Sequence, residues 1–279
     1  MSLLNLVVLA VLHGAAEALP ISPSGHAAVA RLWLARGDAG PAIEAGMSVA
    51  TALALGVAAR RRLAAALGEG VRAIARPALF QASPGARDAA VLVIASAASL
   101  GTARLVGPRI EGLRDAPLAI GLGMLAAGVG LASTFFARRG RRSSGSAPPE
   151  APSIPLAALV GIAHGLAVFP GASRVGAALT VLLWLGVRAE RAVDLALLIT
   201  VPSLLFAVAK EGAASASGGG FEAGTLAIGV VVAFLAARLA AAALQGLVAR
   251  RRLPALALWI IPLGLALLAY ARALPISGA

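Results

Sequence analysis

The sequence predicts an all-α integral membrane protein with about six transmembrane helices and two broken, re-entrant helical hairpins. Its 279 residues are 59 % hydrophobic and only 13 % charged, and the mean hydropathy is +0.90. A soluble domain is about 45–50 % apolar and about 25 % charged. These values exclude a soluble single-core enzyme and a disordered chain.

The charge pattern favours a membrane over nucleic acid as the partner. The net charge is +12, from 24 Lys and Arg against 12 Asp and Glu, and only 4 % of the residues are aromatic. The arginines lie between apolar runs, where basic residues orient spans with their loops in the cytoplasm. The chain has no cysteine, which excludes disulfides, thiolate metal sites and cysteine nucleophiles. The apolar N-terminus lacks a basic segment and a cleavage motif, so we interpret it as part of the mature fold.

Six apolar segments have the length of about 20 residues that a helix needs to cross a bilayer. They are 40–59, 86–107, 115–137, 189–211, 221–247 and 254–272.

Two further apolar segments are interrupted. Residues 3–36 break at 20–25 (PISPSG), and residues 154–187 break at 170–174 (PGASR). Proline ends or kinks a helix, and a break inside a bilayer requires protein or a water-filled cavity to satisfy the freed backbone groups. Both segments are therefore predicted to be pairs of half-helices that enter the membrane and return.

The basic clusters 60–62, 138–142 and 250–252 are predicted to be cytoplasmic. This assignment holds only if the second broken segment does not cross the membrane. The uncharged loop 212–220 then lies outside, together with the N-terminus. Residues 60–76 alternate basic and apolar positions, which indicates an amphipathic helix on the inner leaflet.

The resulting organisation is a repeat of one broken hairpin and three spans. The first repeat covers residues 1–137, a polar cytoplasmic linker covers 138–153, and the second repeat covers 154–279. An odd number of crossings inverts the second repeat relative to the first. Weak similarity between 13–28 and 164–178 supports the repeat, since both contain His-Gly, a proline, a serine and a glycine at nearly matching offsets.

The two breaks are candidate sites for a phosphate-like group. Half-helix N-termini within a membrane present free N–H groups and the positive end of the helix dipole. Ser24 and Gly25 are predicted to open one half-helix, and Ser173 and Arg174 the other. Serine is a good N-cap, and glycine allows a ligand to approach the backbone.

Arg174 is the strongest candidate for binding phosphate, because its guanidinium matches phosphate oxygens in a bidentate manner and stays charged. Alternatively, it is a cytoplasmic arginine at the end of a span. The flanking Gly171, Ser173 and Gly176 favour the binding role.

Ionisable residues at the first break are candidates for catalysis. Glu17 lies in an apolar run, where a charge costs about 2.5–3.5 kcal/mol on insertion scales and usually serves function. His13 lies one helical turn away, so the two could orient a base or bind a cation, or could simply line the bundle. His26 could act as base or acid, or form structural bonds. Ser22 and Ser24 could cap a helix, contact phosphate or attack it.

With these residues in place, the sequence resembles the BacA-type undecaprenyl-diphosphate phosphatases of bacteria. HGAAEALPISPSGH (13–26) is similar to the family box E-G-x-x-E-F-L-P-I-S-S-T-G-H, and PGASRVGAAL (170–179) is similar to its box P-G-x-S-R-S-G-A-T. Residues 44–57 and 190–205 are similar to the spans that follow each box. The likeness covers nearly the whole chain.

The resemblance implies an enzyme of the bacterial inner membrane that hydrolyses undecaprenyl diphosphate to the monophosphate on the outer side, recycling the lipid carrier of cell-wall synthesis. It also implies a divalent cation, Mg²⁺ or Ca²⁺, a homodimer, and no nucleic-acid partner. By position, Glu17 and His26 match the second acidic residue and the histidine of the first box. Ser173 and Arg174 match the Ser-Arg of the second box.

The chain departs from the family boxes at four positions. His13 stands where the family has its first Glu, Pro23 replaces a serine, and Val175 and Ala178 each replace a hydroxyl residue. Ser22 or Ser24 would have to substitute for the missing serine, or His26 would have to attack or activate water. Two alternatives stay open: a transporter of polyprenyl phosphate, and a lipid-phosphate-binding homologue without catalysis.

Overall fold

The protein is described here by a computed structural model that covers residues 2–33, 40–141, 149–215 and 223–273. Within these ranges the only regular elements are helices. Six of the helical segments are long and apolar enough to cross a membrane. The predicted class, an all-α integral membrane protein with six spans, is therefore confirmed.

The helices follow the predicted series. In the first part of the chain they are α1 (Leu3–Ala18), α2 (Pro23–Trp33), α3 (Pro41–Ala58), α4 (Arg60–Ala75), α5 (Leu79–Ala82), α6 (Pro84–Val106) and α7 (Pro117–Arg141). In the second part they are α8 (Ile154–Leu166), α9 (Arg174–Trp184), α10 (Ala189–Ser215), α11 (Ala223–Ala249) and α12 (Ala257–Ala273).

One predicted boundary is wrong by about one helical turn. The third candidate span ends at Ala137, as predicted, although α7 continues as a helix through Arg141. The loop does not begin at residue 212, because α10 continues through Ser215. The remainder of that loop, the start of the predicted span at 221, residues 34–36 of the first hairpin and most of the linker lie outside the described residues.

Both predicted breaks are present. Helix α1 ends at Ala18 and α2 begins at Pro23, while α8 ends at Leu166 and α9 begins at Arg174. Proline suits the first position of a helix, where its missing N–H would have no partner. The helix that follows the first break therefore begins one residue earlier than the sequence predicted, at Pro23 and not at Ser24.

One end of the bundle, here called the basic end, is defined by contacts between remote residues. Arg62 at the start of α4 bonds Asp194 near the start of α10, and Gln245 near the end of α11 donates to Asp194 at 3.3 Å. Arg62 also lies 3.6 Å from Asp88, near the start of α6. Two of the three predicted basic clusters, which follow α3 and α11, are therefore at this end.

The half-helices α1 and α8 approach the centre from opposite ends of the bundle. Helix α1 runs parallel to α11, since Gly229 faces Leu6, and a Cβ at Gly14 would lie 2.2 Å from the Ala233 carbonyl oxygen. Helix α8 runs parallel to α6 in the same manner, with Gly161 packed on Ala95. Because α11 ends at the basic end and α6 begins there, α1 starts at the far end and α8 at the basic end.

The core is built around the second hairpin. Helix α9 contributes Leu179 and Leu182, and α10 contributes an almost continuous buried run from Ala192 to Ile199. A helix that is apolar and buried on all sides lies inside a bundle rather than against lipid. The surrounding helices therefore hold the N-terminus of α9, and with it Arg174, in a fixed position.

Candidate active site

The two broken segments meet at their tips. Ser24 Oγ accepts a hydrogen bond of 2.9 Å from the backbone N–H of Gly171, which lies 147 residues away. Both tips also pack on α7. A Cβ at Gly123 would lie 2.0 Å from the Pro170 carbonyl oxygen, and one at Gly25 would lie 2.4 Å from Met124 Sδ. These contacts confirm that the tips come together, as the hypothesis of a shared site requires.

Glu17 and Arg174 form an ion pair where the tips meet. Arg174 Nη2 donates to Glu17 Oε1 at 2.6 Å, and the two residues are 157 positions apart. Glu17 lies in the last turn of α1 and is 6 % exposed, whereas Arg174 is the first residue of α9 and its side chain is 25 % exposed. The bond to Glu17 uses one of the five N–H donors of the guanidinium. Arg174 is therefore both anchored and accessible to a ligand.

The second carboxylate oxygen of Glu17 is buried and has no hydrogen-bond partner among the described residues. A buried acceptor without a donor costs about 1–3 kcal/mol, so such a group in a native site indicates a ligand, a water or a cation. Within the described part of the chain, no group of three or more acidic, histidine or cysteine side chains could hold a metal. The free oxygen of Glu17 is therefore the acceptor that this site offers to such a ligand, water or cation.

The serines at the two breaks have matching roles as N-caps. Ser173 Oγ accepts from the Gly176 N–H at 3.1 Å, and Ser22 Oγ accepts from the Gly25 N–H at 3.1 Å. The predicted cap at Ser173 is confirmed, while α2 is capped by Ser22 and not by Ser24. Ser22 has a φ of +71° and is completely buried. A non-glycine residue in this region is strained, and such strain concentrates at functional sites.

Close packing accounts for the glycines at the tips. Gly171 has a φ of +81°, and a Cβ there would lie 1.8 Å from the Ile120 carbonyl oxygen. A Cβ at Gly176 would lie 3.2 Å from Pro20 of the first tip. The N–H groups of Gly25, Gly171 and Gly176 all donate to serine hydroxyls. Direct contact between these amides and a ligand stays a prediction.

Both ring nitrogens of His26 have partners. Nδ1 lies 2.9 Å from the Ser22 carbonyl oxygen, and the indole N–H of Trp259 donates to Nε2 at 3.0 Å. A carbonyl can only accept and an indole N–H can only donate, so His26 is neutral with its proton on Nδ1. Sequence reasoning missed Trp259, which lies 233 residues from His26 and carries no local signal.

His13 does not bond to Glu17 as its spacing suggested. Its Nε2 lies 3.3 Å from Ser48 Oγ on α3, and the described partner of Glu17 is Arg174. The i, i+4 spacing places two side chains on one helix face, but the neighbouring helices decide which partner each one meets. His13 therefore lines the site region without pairing to the carboxylate.

A cavity of about 320 Å³ lies beside the tips, between α2, α7 and α12. Its lining is mainly apolar and includes Ala28, Ile120, Leu267 and Tyr270, with Arg31 and Asp115 among its polar members. Ile120 also contacts Gly171 of the second tip. A mainly apolar cavity against the second tip is suited to the apolar part of an amphipathic ligand.

This fold and site define a polytopic membrane protein in which two broken hairpins bring a carboxylate and a guanidinium together, with an apolar cavity against one of the tips. The family model of the bacitracin resistance protein BacA matches residues 6–266. The chain belongs to this BacA family.

Curated relatives match over most of their length. The undecaprenyl-diphosphatase of Maricaulis maris is 33 % identical over 97 % of this chain and 99 % of the relative. Undecaprenyl-diphosphatase 1 of Rhodospirillum rubrum is 30 % identical over 97 % of this chain and 96 % of the relative. The undecaprenyl-diphosphatase of Chromohalobacter salexigens is 30 % identical over 85 % of this chain and 87 % of the relative.

Proposed function

We propose that this protein hydrolyses undecaprenyl diphosphate to undecaprenyl phosphate and inorganic phosphate. The observation that carries the proposal is the Glu17–Arg174 pair at the meeting point of the tips, with one carboxylate oxygen left free. The names of the curated relatives supply the substrate. The product is the lipid carrier that cell-wall synthesis reuses.

Arg174 holds the terminal phosphate and neutralises the charge that develops on it. Its free N–H donors fit two phosphate oxygens, and the dipole of α9 adds positive potential at the same point. Phosphoryl transfer depends mainly on positioning and on electrostatic stabilisation of the equatorial oxygens. A rigid guanidinium at a helix N-terminus provides both.

Glu17 orients and deprotonates the attacking water through its free oxygen. The water oxygen bonds to the terminal phosphorus, the bond to the bridging oxygen breaks, and the water proton passes to Glu17 before it leaves with inorganic phosphate. Pro23 has no nucleophilic atom, and the hydroxyls of Ser22 and Ser173 are buried as caps. Attack by water therefore requires no group that this chain lacks, and Ser24 serves to join the tips.

A divalent cation would be held by diphosphate oxygens and water, and Glu17 would contact it through one of these waters, which leaves the free carboxylate oxygen as the base. Mg²⁺ commonly keeps several waters when it binds substrate phosphates. It would neutralise charge on the diphosphate. We expect EDTA to abolish phosphate release and added Mg²⁺ or Ca²⁺ to restore it.

The site is proposed to open to the outer side of the bacterial inner membrane, within two inverted repeats. The tips pack on α7 at residues 120–124, about 5–10 Å from its start at Pro117 at a rise of 1.5 Å per residue. The arginines of α7 lie at its other end, and basic residues stay cytoplasmic. The opposed entry of α1 and α8 supports the inverted repeat. The cavity between α2, α7 and α12 receives the first isoprene units.

The test is phosphate release from undecaprenyl diphosphate by the purified full-length protein in nanodiscs. Arg174→Ala is compared with Arg188→Ala, a control arginine that is half exposed and pairs with Glu150. We expect the parent and the control to release phosphate and Arg174→Ala to release almost none. A parent no more active than Arg174→Ala would contradict the proposal. Movement of the lipid across liposomes without hydrolysis would instead identify a transporter.

A further inference from the structure

We propose that Trp259 is a positioning residue for His26, which it holds neutral and in one orientation at the first break. The inference rests on the proposed function for its effect on turnover, but its structural content can be measured without substrate. Nothing in the two sequence boxes includes Trp259, which lies on α12.

The donors and acceptors around His26 are compatible with only one position of its ring proton. The indole N–H of Trp259 is a donor only, so Nε2 of His26 must carry a lone pair. The Ser22 carbonyl then receives the Nδ1 proton at 2.9 Å. The two rings also stack, with centroids 6.4 Å apart and planes inclined by 23°. Trp259 thus determines both the protonation form and the plane of the imidazole.

Burial makes this partner necessary. His26 is only 8 % exposed, so without Trp259 its Nε2 would be a largely buried acceptor that lacks a donor. The Nδ1–H bond ends on Ser22, the strained cap of α2, whose hydroxyl holds the Gly25 N–H. The chain of contacts from Trp259 to His26 to Ser22 therefore fixes the first tip from the side of α12.

Trp259 is held less firmly than the residue it positions. It is 60 % exposed and lies one turn before Pro262 within α12. Proline has no N–H, so the carbonyl four residues earlier, that of Leu258, loses its helical partner. The position of the indole therefore depends on its hydrogen bond and ring contact with His26.

The first experiment uses the full-length protein in nanodiscs with ¹⁵N-labelled tryptophan and histidine. We expect a ¹⁵N–¹⁵N coupling across the hydrogen bond between Trp259 Nε1 and His26 Nε2, assigned by its loss in His26→Gln. Trp259→Phe should abolish the coupling and leave His26 as a mixture of forms. An isosteric benzothienylalanine at position 259, which lacks only the donor, should do the same and excludes misfolding as the cause.

Trp184→Phe is the matched control. Trp184 is 52 % exposed, and its indole N–H donates to Ser133 Oγ at 3.0 Å, away from His26. We expect the coupling to survive in this variant. Absence of the coupling in the parent, or unchanged His26 signals in Trp259→Phe, would overturn the proposal.

The second experiment is the rate of phosphate release. Losing one hydrogen bond that orients a site residue should lower kcat of Trp259→Phe about three- to tenfold with KM unchanged, whereas Trp184→Phe should keep the parent kcat. A parental kcat in Trp259→Phe would overturn the positioning role. If the parent showed the coupling but no hydrolysis, the proposed function would fail while the control of His26 by Trp259 stood.

Discussion

Two ion clusters among the described residues differ in how completely their carboxylate oxygens are hydrogen-bonded. At the basic end, Arg191 Nη2 lies 3.0 Å from both oxygens of Asp88, and Arg62 and Gln245 occupy the two oxygens of Asp194. Each carboxylate oxygen there has a donor.

At the tips, one guanidinium donor meets one oxygen of Glu17, and the other oxygen has no described partner. A buried ion pair is stable only when its remaining lone pairs are satisfied. At the basic end every oxygen of Asp88 and Asp194 has a donor, although Arg62 Nη1 has no acceptor among the described residues. The cluster holds α4, α6, α10 and α11 together. At the tips one oxygen of Glu17 is left for a ligand, so the contrast is between a cluster that stabilises the fold and a pair that we propose acts on a substrate. The predictions below test this contrast, beginning with the largest expected effect.

Arg174→Ala should lower kcat/KM for undecaprenyl diphosphate by about 10³-fold, or about 4 kcal/mol, because it removes the group that stabilises the transferring phosphate. Arg174→Lys should recover only part of this, since an ammonium lacks the bidentate geometry. Steady-state phosphate release measures both. A Lys variant with full activity would show that charge alone is sufficient at this position.

Arg191→Leu should destabilise the fold by about 3–5 kcal/mol, because it leaves the buried Asp88 without its main partner. Unfolding in a denaturant series, followed by tryptophan fluorescence, gives the change. The folded fraction should keep the parent kcat. A loss of kcat without a loss of stability would place this cluster in the reaction and remove the contrast.

Glu17→Gln should lower kcat by about 10²-fold, the lower range for loss of a general base, and should cost little stability because the amide keeps an oxygen for Arg174. Rapid-quench measurement of the chemical step provides the rate. Activity close to that of the parent would exclude Glu17 as the base and leave it only the role of a hydrogen-bond acceptor that positions Arg174.

Ser24→Ala should lower kcat about fivefold, the value of one hydrogen bond of about 1 kcal/mol, because the Gly171 N–H at the tip contact loses its acceptor. Phosphate release is measured together with thermal unfolding. Complete loss of turnover in a stable variant would show that Ser24 attacks the phosphorus.

Glu69→Gln should have the smallest effect, and one that depends on pH. Glu69 on α4 accepts hydrogen bonds from the Ser83 hydroxyl and from the Gly85 N–H, which lower the pKa of its carboxyl. A lowered native pKa stabilises the fold above the unfolded value of about 4.3, and this contribution is lost as the pH falls through the native value. The Tm of the parent should be slightly higher than that of the variant at neutral pH, and the two values should be equal in acid. A difference that grows in acid would reverse the assignment.

The spans, both breaks and the residues of the ion pair were predictable, because each depends on a local signal. Long apolar runs define the helices, prolines mark the breaks, and Glu17 and Arg174 are charges in apolar segments. The parts of the site that depend on packing between remote helices were not predictable from the sequence. No pattern near His26 specifies an indole on α12, and no spacing distinguishes Ser22 from Ser24 as the cap of α2, because a positive φ at Ser22 is imposed by its surroundings.

The glycines packed against the tips tolerate substitution far less than the side chains that line the neighbouring cavity. A single methyl group at Gly123 or Gly171 would collide with a backbone carbonyl. Neither glycine can therefore be replaced without displacing the tips at which we propose that phosphate binds. The wall of the neighbouring cavity includes exposed side chains, such as those of Leu32 and Tyr270, which have room to change in size. Because we propose that this cavity receives the isoprene units, we expect substitution there to change the preference for chain length and to leave the chemistry at the head group unchanged.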